Sequence, residues 1–307
     1  MADKGPWPQG ARAAIALTLD NCGEAADLNR GLWPKDKPIG SHYSITEALP
    51  QILALLKKYN ILVTYFVEAW SLAHYGEAIA NDVAAKGHEV AWHAWQHEAW
   101  GKLDEDEERE NFKRSFGDEG IGGFIDEGPG KGKVQPYRGF RPPGGIIHGN
   151  RTLALCRDYG LGYISPAAEQ AALVDFERDG SADSMVILPF RWTGVDAYYY
   201  METFAGLRKL KGATSEEPLG EDVLANIYIT TVDEAIEKGE FLSLLFHPFL
   251  SNSEPRLQAI EQVLQHLARR RDEGQIWLAT CREIEDYVRE NPHIVAQDPA
   301  WDLASWR

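Results

Sequence analysis

Short apolar runs alternate along the chain with stretches whose apolar residues recur at helical spacing. Six of these runs favour β-strands, because they are rich in β-branched and aromatic residues and end at polar or turn-forming residues. They are AAIALTLD from Ala13, ILVTYFVEA from Ile61, HEVAWH from His88, SMVILPF from Ser184, FLSLLFH from Phe241 and QIWLAT from Gln275. The alternation predicts an α/β fold with a parallel sheet covered by helices, either open and doubly wound or closed into a barrel.

Capping boxes predict four helix starts, since a small polar residue and a Glu three positions later satisfy each other's free backbone N–H groups. The pairs are Ser44/Glu47, Asp104/Glu107, Thr231/Glu234 and Thr280/Glu283. Residues 117–145 are rich in Gly and Pro, which predicts a long ordered loop. No linker divides the sequence, so we expect one catalytic domain over residues 1–307.

Polar residues collect where the apolar strands end. They are Asp20, Asn21, His93, His97, Arg141 and His247. In parallel α/β folds and barrels, active sites assemble at the carboxyl ends of the strands, because loops converge there on a rigid sheet. Each residue alone also has a structural explanation: Asp20 as a helix cap, Arg141 in a surface ion pair, and His247 as the end of a strand.

His93 and His97 lie four residues apart in HAWQH. This spacing can point both imidazoles at one ion, from one helix face or from the turn after a strand. The metalloprotease motifs H-E-x-x-H and H-x-x-E-H need a Glu as general base, and Gln96 stands where the second motif requires it. An amide cannot take a proton from water, so a base must come from another strand, and Asp20 is the nearest candidate by topology.

Charge and composition argue against several classes of partner. The net charge of -16 repels nucleic-acid phosphates and anionic lipid, so we expect neither as a partner. The beginning of the sequence lacks an apolar signal region, and no stretch reaches the roughly 20 apolar residues that span a bilayer, so we expect a cytoplasmic protein. Cys22, Cys156 and Cys281 are widely spaced, and we expect reduced, semi-buried thiols rather than disulfides or a thiolate zinc site.

Four motifs, in order along the chain, resemble those of the polysaccharide deacetylases of the NodB-homology fold, also called carbohydrate esterase family four. They are TLDN at residues 18–21, HAWQH at 93–97, FRPPGG at 140–145 and LLFH at 244–247. The segment from His247 to Val288 is most similar to the branch that contains peptidoglycan deacetylases, cyclic imide hydrolases and metal-free allantoinases. The resemblance covers nearly the whole chain and implies a distorted (β/α) barrel that hydrolyses non-peptide C–N bonds.

The same resemblance implies roles for the motif residues. His93 and His97 would bind a divalent metal, with zinc expected, and Asp20 would be the catalytic base. Arg141 would orient the Asp20 carboxylate, while His247 would be the acid that protonates the departing nitrogen. The ion would lower the pKa of water and polarise the amide carbonyl.

Pocket residues also follow from the resemblance. The backbone N–H of Gly144 would form the oxyanion hole, and the missing side chain should widen the pocket. The usual D-W-Y stretch is replaced by FRWTGVDAYYY. There, Trp192 is expected to form a pocket wall and Asp196 to orient His247, although such aromatic runs are more often core than site.

Asn21 is the main departure from the family pattern, because it stands where the family usually has an Asp that binds the metal. We expect Asn21 to complete the metal site with His93 and His97, although an amide oxygen binds zinc more weakly than a carboxylate does. Asp20 itself or Glu24 could instead supply the ligand oxygen.

The leading hypothesis is a metal-dependent amide hydrolase that acts on the N-acetyl group of an amino sugar or on a cyclic amide. The absence of a secretion signal favours a small substrate over a cell-wall polymer. One alternative is a metal-free cyclic ureide or imide hydrolase, and another, motivated by Asn21, is a degenerate barrel that binds carbohydrate without turnover. Relatives in this branch are often homotetramers, so the resemblance suggests a homo-oligomer.

Overall fold

The computed structural model describes residues 4–178 and 180–297, and ten strands and eleven α-helices lie within them. The strands are β1 (Ala13–Asp20), β2 (Thr64–Val67), β3 (Glu89–Trp92), β4 (Gly139–Phe140), β5 (Tyr163–Ile164), β6 (Ala172–Arg178), β7 (Ser181–Ile187), β8 (Phe241–Phe246), β9 (Ile276–Leu278) and β10 (Ala296–Gln297).

Helices separate most of the strands, as the alternation along the sequence predicts, although none of the described helices lies between β5, β6 and β7. They are α1 (Gly23–Asn29), α2 (Leu49–Lys58), α3 (Ala69–Ala78), α4 (Glu105–Phe116), α5 (Ile121–Asp126), α6 (Asn150–Asp158), α7 (Asp196–Tyr200), α8 (Ala205–Leu210), α9 (Glu221–Lys238), α10 (Glu254–Asp272) and α11 (Cys281–Glu290). Across the described ranges, we find no helix with the length and apolar character that spanning a bilayer requires.

The strands form one curled, mostly parallel sheet in the order β10-β6-β7-β5-β4-β3-β2-β1-β8. The hairpin of β6 and β7 is its antiparallel part, and β9 pairs with the beginning of β1. After β7, Val195 forms a single parallel bridge with Leu245 of β8. The curled sheet forms a half-barrel. This confirms the prediction of an α/β fold with a distorted barrel.

Both faces of β1 are buried, and its side chains alternate between two layers. Ala13, Ile15, Leu17 and Leu19 pack in the large core beneath the surrounding helices. Ala14 and Ala16 point to the inside of the curled sheet, where they share a core with Phe66, Ala91 and Tyr163. Thr18 and Asp20 continue this inner series, so the last inward position of β1 is a carboxylate.

The same two-residue period aims the ends of the neighbouring strands inward. In β3, Ala91 lies in the inner core, so His93 points the same way. In β8, Phe241 lies in the inner core, and Ser243 and His247 continue its series. The inside of the sheet is therefore apolar toward the beginning of the strands and polar at their carboxyl ends.

Gly139 is required by close packing inside the sheet. A Cβ atom at this position would lie 1.8 Å from Cζ of Tyr163, so the tyrosine ring occupies the space that a side chain would need. The absence of a side chain lets β4 pass the ring closely and carry Arg141, two residues later, into the polar layer.

Two of the four predicted capping boxes are confirmed, at Asp104 and Thr280. The other two capping boxes do not form, and the prediction of a helix start is wrong at Thr231, whereas a helical segment does begin at Ser44 and continue into α2. Thr231 lies inside α9, where its Oγ1 donates to the carbonyl of Ile227 at 2.8 Å, and Ser44 lies in a π-helical turn (Ser44–Ala48) without a capping bond. A Thr-x-x-Glu spacing also fits within a continuous helix, so the spacing alone does not locate a helix start.

The region predicted as one long loop, residues 117–145, contains α5 and β4. Ile121 and Phe124 of α5 are buried against the core, and this tertiary burial outweighs the low helix propensity of the glycines around them. The expectation of a loop was therefore too broad.

The two Thr-x-x-Glu sequences provide a matched test of capping. We expect Thr280→Ala to lower the free energy of unfolding by about 1 kcal/mol, because the N–H of Glu283 loses its acceptor at the helix start. Thr231→Ala should change it by less than about 0.5 kcal/mol, because alanine favours the helix interior. Urea unfolding followed by circular dichroism measures both, and equal losses would contradict the assignment of the caps.

Candidate active site

Arg141 holds the polar layer together at the carboxyl ends of the strands. Its side chain is only 1% exposed, and its Nη1 donates to Oδ1 of Asp20 at 2.7 Å and to Oγ1 of Thr18 at 2.8 Å. Nη2 donates to Oγ of Ser165 at 2.9 Å and to Oγ of Ser243 at 3.3 Å. One oxygen of Asp20 is thereby committed to Arg141, which leaves Oδ2 available to another partner.

Oδ2 of Asp20 lies 3.8 Å from Nε2 of His93. Nδ1 of His93 donates to the carbonyl of Arg141 at 2.7 Å, so in the neutral ring Nε2 carries the lone pair. This buried Nε2 has no hydrogen-bond partner among the described residues. An unpaired acceptor of this kind is the form of histidine that binds a metal ion.

His97 follows His93 in a turn after β3, rather than on a helix face. The turn places Ala94 and His97 in the left-handed region, with φ of 67° and 63°. It brings the rings of His93 and His97 to a centroid separation of 4.9 Å. Burial lowers the pKa of His93 to about 3 and that of His97 well below its ordinary value, so both rings are neutral, as metal ligands must be.

Cys22 is the residue that the sequence analysis missed. One ligand atom each from Cys22, His93 and His97 lie within 4.8 Å of one another, so the three side chains could hold a metal ion. Ligand atoms around a tetrahedral ion are about 3.4–3.8 Å apart, so a small inward shift would suffice. Strand alternation does not predict this position, because β1 ends at Asp20 and the backbone at Cys22 has φ of 49°.

Burial raises the pKa of the Cys22 thiol well above its ordinary value, and the nearby carboxylates of Glu68 and Asp20 raise it further. Without a cation, the thiol therefore keeps its proton. A divalent ion favours the thiolate, so binding at this cluster would release a proton.

Asn21 points away from this cluster. Its Oδ1 accepts from the hydroxyl of Tyr65 at 2.6 Å, and its Nδ2 donates to Oε2 of Glu68 at 2.6 Å. Alternation along the strand turns Asn21 to the outer face, opposite to Asp20. Its role as a ligand stays a prediction, and the geometry favours Cys22 instead.

Glu24 is also committed elsewhere. Its carboxylate accepts from the hydroxyl of Tyr75 and from the backbone N–H groups of Gly40, Ser41 and His42. These bonds fasten the segment after α1 to the body of the protein, which gives Glu24 a structural role.

His247 lies opposite this cluster and is held by Asp196. Nδ1 of His247 donates to Oδ1 of Asp196 at 2.5 Å, and its backbone N–H donates to Oδ2 at 2.7 Å. Burial alone would lower the pKa of His247, but the Asp196 carboxylate outweighs it and holds the pKa above its ordinary value. Asp196 therefore favours the protonated form of His247, and Nε2 of His247 is left for a partner other than Asp196.

These groups surround one cavity of about 360 Å³. Its lining includes seven of the predicted site residues, six through their side chains and Gly144 through its backbone, together with Cys22 and Arg30. The six are Asp20, His93, His97, Arg141, Trp192 and His247, and Gly144 also reaches the cavity. Asp196 lies behind His247, whereas Asn21 lies outside the lining.

Gly144 occupies the turn that closes one side of the cavity. The N–H of Gly145 donates to the carbonyl of Pro142 at 2.9 Å, and Gly144 has φ of 80°, as the third position of a type II turn requires. A Cβ at Gly144 would meet nothing within 4 Å, and Gly144 is both exposed to solvent and part of the cavity lining. The N–H of Gly144 has no acceptor among the described residues.

Comparison with known proteins gives a family and a fold. The family model described as polysaccharide deacetylase matches residues 10–164, which contain the first three motifs. None of the curated proteins matches the sequence.

Solved structures match over nearly the whole chain. A Mycobacterium smegmatis protein described as a polysaccharide deacetylase shares 21% identity at a TM-score of 0.73, with 95% of each chain covered. The allantoinase PuuE shares 16% identity at a TM-score of 0.71, with 94% of each chain covered. A Pseudomonas aeruginosa PAO1 protein described as a polysaccharide deacetylase shares 18% identity at a TM-score of 0.69, covering 94% of this chain and 95% of its own. Identities this low establish the fold alone.

The contact with Asp196 should be visible in the titration of His247. We expect the His247 imidazole to titrate above pH 6.5 in the wild type and at lower pH in Asp196→Asn, because the neutral amide no longer stabilises the imidazolium. Stability from this pair is present below the ordinary pKa of histidine and is lost as pH rises through the higher folded pKa. Nuclear magnetic resonance of the ring nitrogens measures the titration.

Asp27→Asn is the control for this titration, since Asp27 lies beside His42, with 3.6 Å between Oδ2 and Nε2. It should leave His247 unaffected. An unchanged titration of His247 in Asp196→Asn would show that Asp196 does not set its charge.

Proposed function

Because the chain belongs to the polysaccharide deacetylase family, we propose that it is a metal-dependent hydrolase that cleaves a non-peptide amide bond in a small substrate. One observation carries the proposal. A fixed carboxylate, a Cys/His cluster and an imidazole whose pKa is raised by Asp196 line the same cavity from different sides. Amide hydrolysis needs a base, an electrophile and an acid, and the three groups match those needs.

Asp20 is the proposed base. Arg141 occupies one of its oxygens and fixes the carboxylate plane, so Oδ2 can accept the proton of a water molecule that attacks the amide carbonyl carbon.

His247 is the proposed acid. As the C–N bond breaks, the leaving nitrogen needs a proton, and the imidazolium held by Asp196 can supply it through Nε2. The free N–H of Gly144 is the proposed donor to the developing oxyanion, and its type II turn makes that donor rigid.

Cys22, His93 and His97 are the proposed metal ligands, and their sulfur and nitrogen donors suit zinc. When bound, zinc would polarise the carbonyl group and make water a stronger nucleophile near neutral pH. The unpaired Nε2 of His93 supports this assignment, since a buried acceptor without a partner is costly unless a ligand satisfies it.

The cavity favours a small amide over a polymer. A volume of about 360 Å³ lies at the lower end of the range for sites that enclose one small ligand. Its walls include Phe190, Trp192, Phe204 and Phe249, which suit a flat ring or a short acyl group. We therefore propose cyclic imides, hydantoins and ureides before N-acetyl amino sugars.

A metal-independent hydrolase of cyclic ureides is the second candidate. It is supported by Nη2 of Arg30, which donates to Nδ1 of His97 at 3.3 Å and so occupies a potential ligand atom with a cation of the chain. The match to an allantoinase structure is consistent with such a substrate.

A hydrolysis screen with Asp20→Asn as its companion tests the proposed activity. We expect release of a carboxylate or amine from at least one member of a set containing succinimide, hydantoin, allantoin and N-acetylglucosamine. Asp20→Asn should lower kcat by roughly 100-fold or more, because it keeps the shape of the side chain but removes the base. Unchanged circular dichroism would establish that the variant is folded.

Near-normal turnover by Asp20→Asn would reject Asp20 as the base. Absence of turnover across the screen, with zinc bound at one ion per chain, would instead favour the degenerate barrel.

Zinc titration of the metal-free protein separates Cys22 from Asn21. We expect Cys22→Ser to weaken zinc binding by at least about 10-fold, since the thiolate is the only anionic donor in the cluster. Asn21→Asp should leave zinc affinity within about 2-fold, because its side chain faces Tyr65 and Glu68. Competition with a chromophoric chelator measures both.

Tighter zinc binding in Asn21→Asp, with no effect of Cys22→Ser, would restore Asn21 as the ligand. Full hydrolytic activity of wild-type protein freed of metal would favour the second candidate.

A further inference from the structure

Arg30 brings an uncompensated positive charge to the mouth of the cavity. It follows α1 directly, is exposed and lines the cavity beside His97. Among the described residues, no carboxylate oxygen lies within 4.0 Å of its guanidinium, and its side-chain hydrogen bond goes to a neutral histidine. A cation with no anionic partner is notable in a chain whose net charge is -16.

The carboxylates of the site are committed to other partners. Asp20 is bound by Arg141 at 2.7 Å, and both oxygens of Asp196 are bound by His247. No oxygen of either carboxylate lies within 4.0 Å of the Arg30 guanidinium, and Oδ2 of Asp20 lies beside His93 instead. The positive charge of Arg30 is therefore available to a ligand.

While Arg30 is hydrogen-bonded to His97, the His97 ring cannot bind a metal ion. A guanidinium only donates hydrogen bonds, so Nδ1 of His97 accepts, and in a neutral ring the hydrogen then resides on Nε2. Neither nitrogen has a lone pair for a metal until Arg30 withdraws. If His97 binds a metal ion, Arg30 must give up its hydrogen bond to the His97 ring. Repulsion between the metal ion and the guanidinium also favours this separation.

We propose that Arg30 binds a carboxylate group of the substrate, and that the protein therefore acts on small amides that carry a carboxylate. The inference rests on the proposed function. An arginine fork matches a carboxylate with two parallel hydrogen bonds, which fixes both the position and the orientation of the substrate. We call the Arg30 guanidinium the anchor. Its position determines how far the substrate carboxylate lies from the amide that is cleaved beside His97.

Matched pairs of probes test the anchor. The cyclic pair is hydantoin-5-acetate and 5-methylhydantoin, and the acyclic pair is N-acetyl-β-alanine and N-propylacetamide. We expect the wild type to prefer the carboxylate-bearing member of the pair it hydrolyses by about 10- to 100-fold in kcat/KM, the range of a charged hydrogen-bonded pair. The preference should appear mainly in KM and weaken with added salt.

Arg30→Gln should lower kcat/KM for the carboxylate-bearing member at least about 10-fold more than for its neutral partner. Arg30→Lys should recover only part of the preference, because an ammonium is a point charge without the planar fork. Lys37→Gln is the control, since Lys37 is an exposed cation of the same segment that does not line the cavity. It should leave the preference as in the wild type.

Equal losses on both members in Arg30→Gln, or no preference in the wild type, would overturn the anchor while leaving the hydrolase intact. If neither member is hydrolysed, the affinities of the protein for hydantoin-5-acetate and N-acetyl-β-alanine, measured by calorimetry, test the anchor independently of activity. Binding that weakens at least about 10-fold in Arg30→Gln supports the anchor although the proposed activity has failed. Absence of binding to the wild type rejects the anchor as well.

Zinc affinity provides a readout that does not depend on activity. If Arg30 competes with the ion for His97, Arg30→Gln should bind zinc more tightly than the wild type, whereas Lys37→Gln should not. Unchanged zinc affinity in Arg30→Gln would show that Arg30 does not compete with the metal ion for His97.

Discussion

The buried guanidinium of Arg141 is the constraint on which the arrangement of the site depends. A cation that is 1% exposed needs acceptors on every side, because an unpaired charge in the interior is strongly destabilising. Its acceptors come from β1, from β8 and from the residue after β5, while Arg141 itself follows β4. A flatter sheet would separate these strands and leave the cation unsatisfied. The curl of the sheet and the position of Asp20 are therefore determined together.

Much of the fold could be predicted from local patterns. The apolar run from Ala13 coincides with β1 over its full length, and the capping pairs at Asp104 and Thr280 begin helices. The prediction of a helix start at Thr231 is wrong because α9 begins ten residues earlier, at Glu221, and continues past Thr231. A local spacing indicates where a helix can begin, but the packing of the whole segment decides where it does.

The candidate site was predictable where strand alternation governs it. Asp20, His93 and His247 continue the inward series of their strands, which could be counted in the sequence. Strand alternation does not predict the positions of Cys22 and Arg30, because β1 ends at Asp20 and the backbone at Cys22 has φ of 49°. Asn21 occupies the family's ligand position in the motif, but its neighbours Tyr65 and Glu68 hold it on the outer face. Such hydrogen bonds between distant residues are invisible in one sequence.

The turn that carries His93 and His97 contains two left-handed residues that are not glycine, each costing of order 1–2 kcal/mol. The turn keeps this shape because its carbonyls at Ala94 and Trp95 accept from α3, and the N–H of Trp95 donates to Asn111. Folding has thus already ordered the loop before anything binds. A ligand held there loses little affinity to the ordering of the loop.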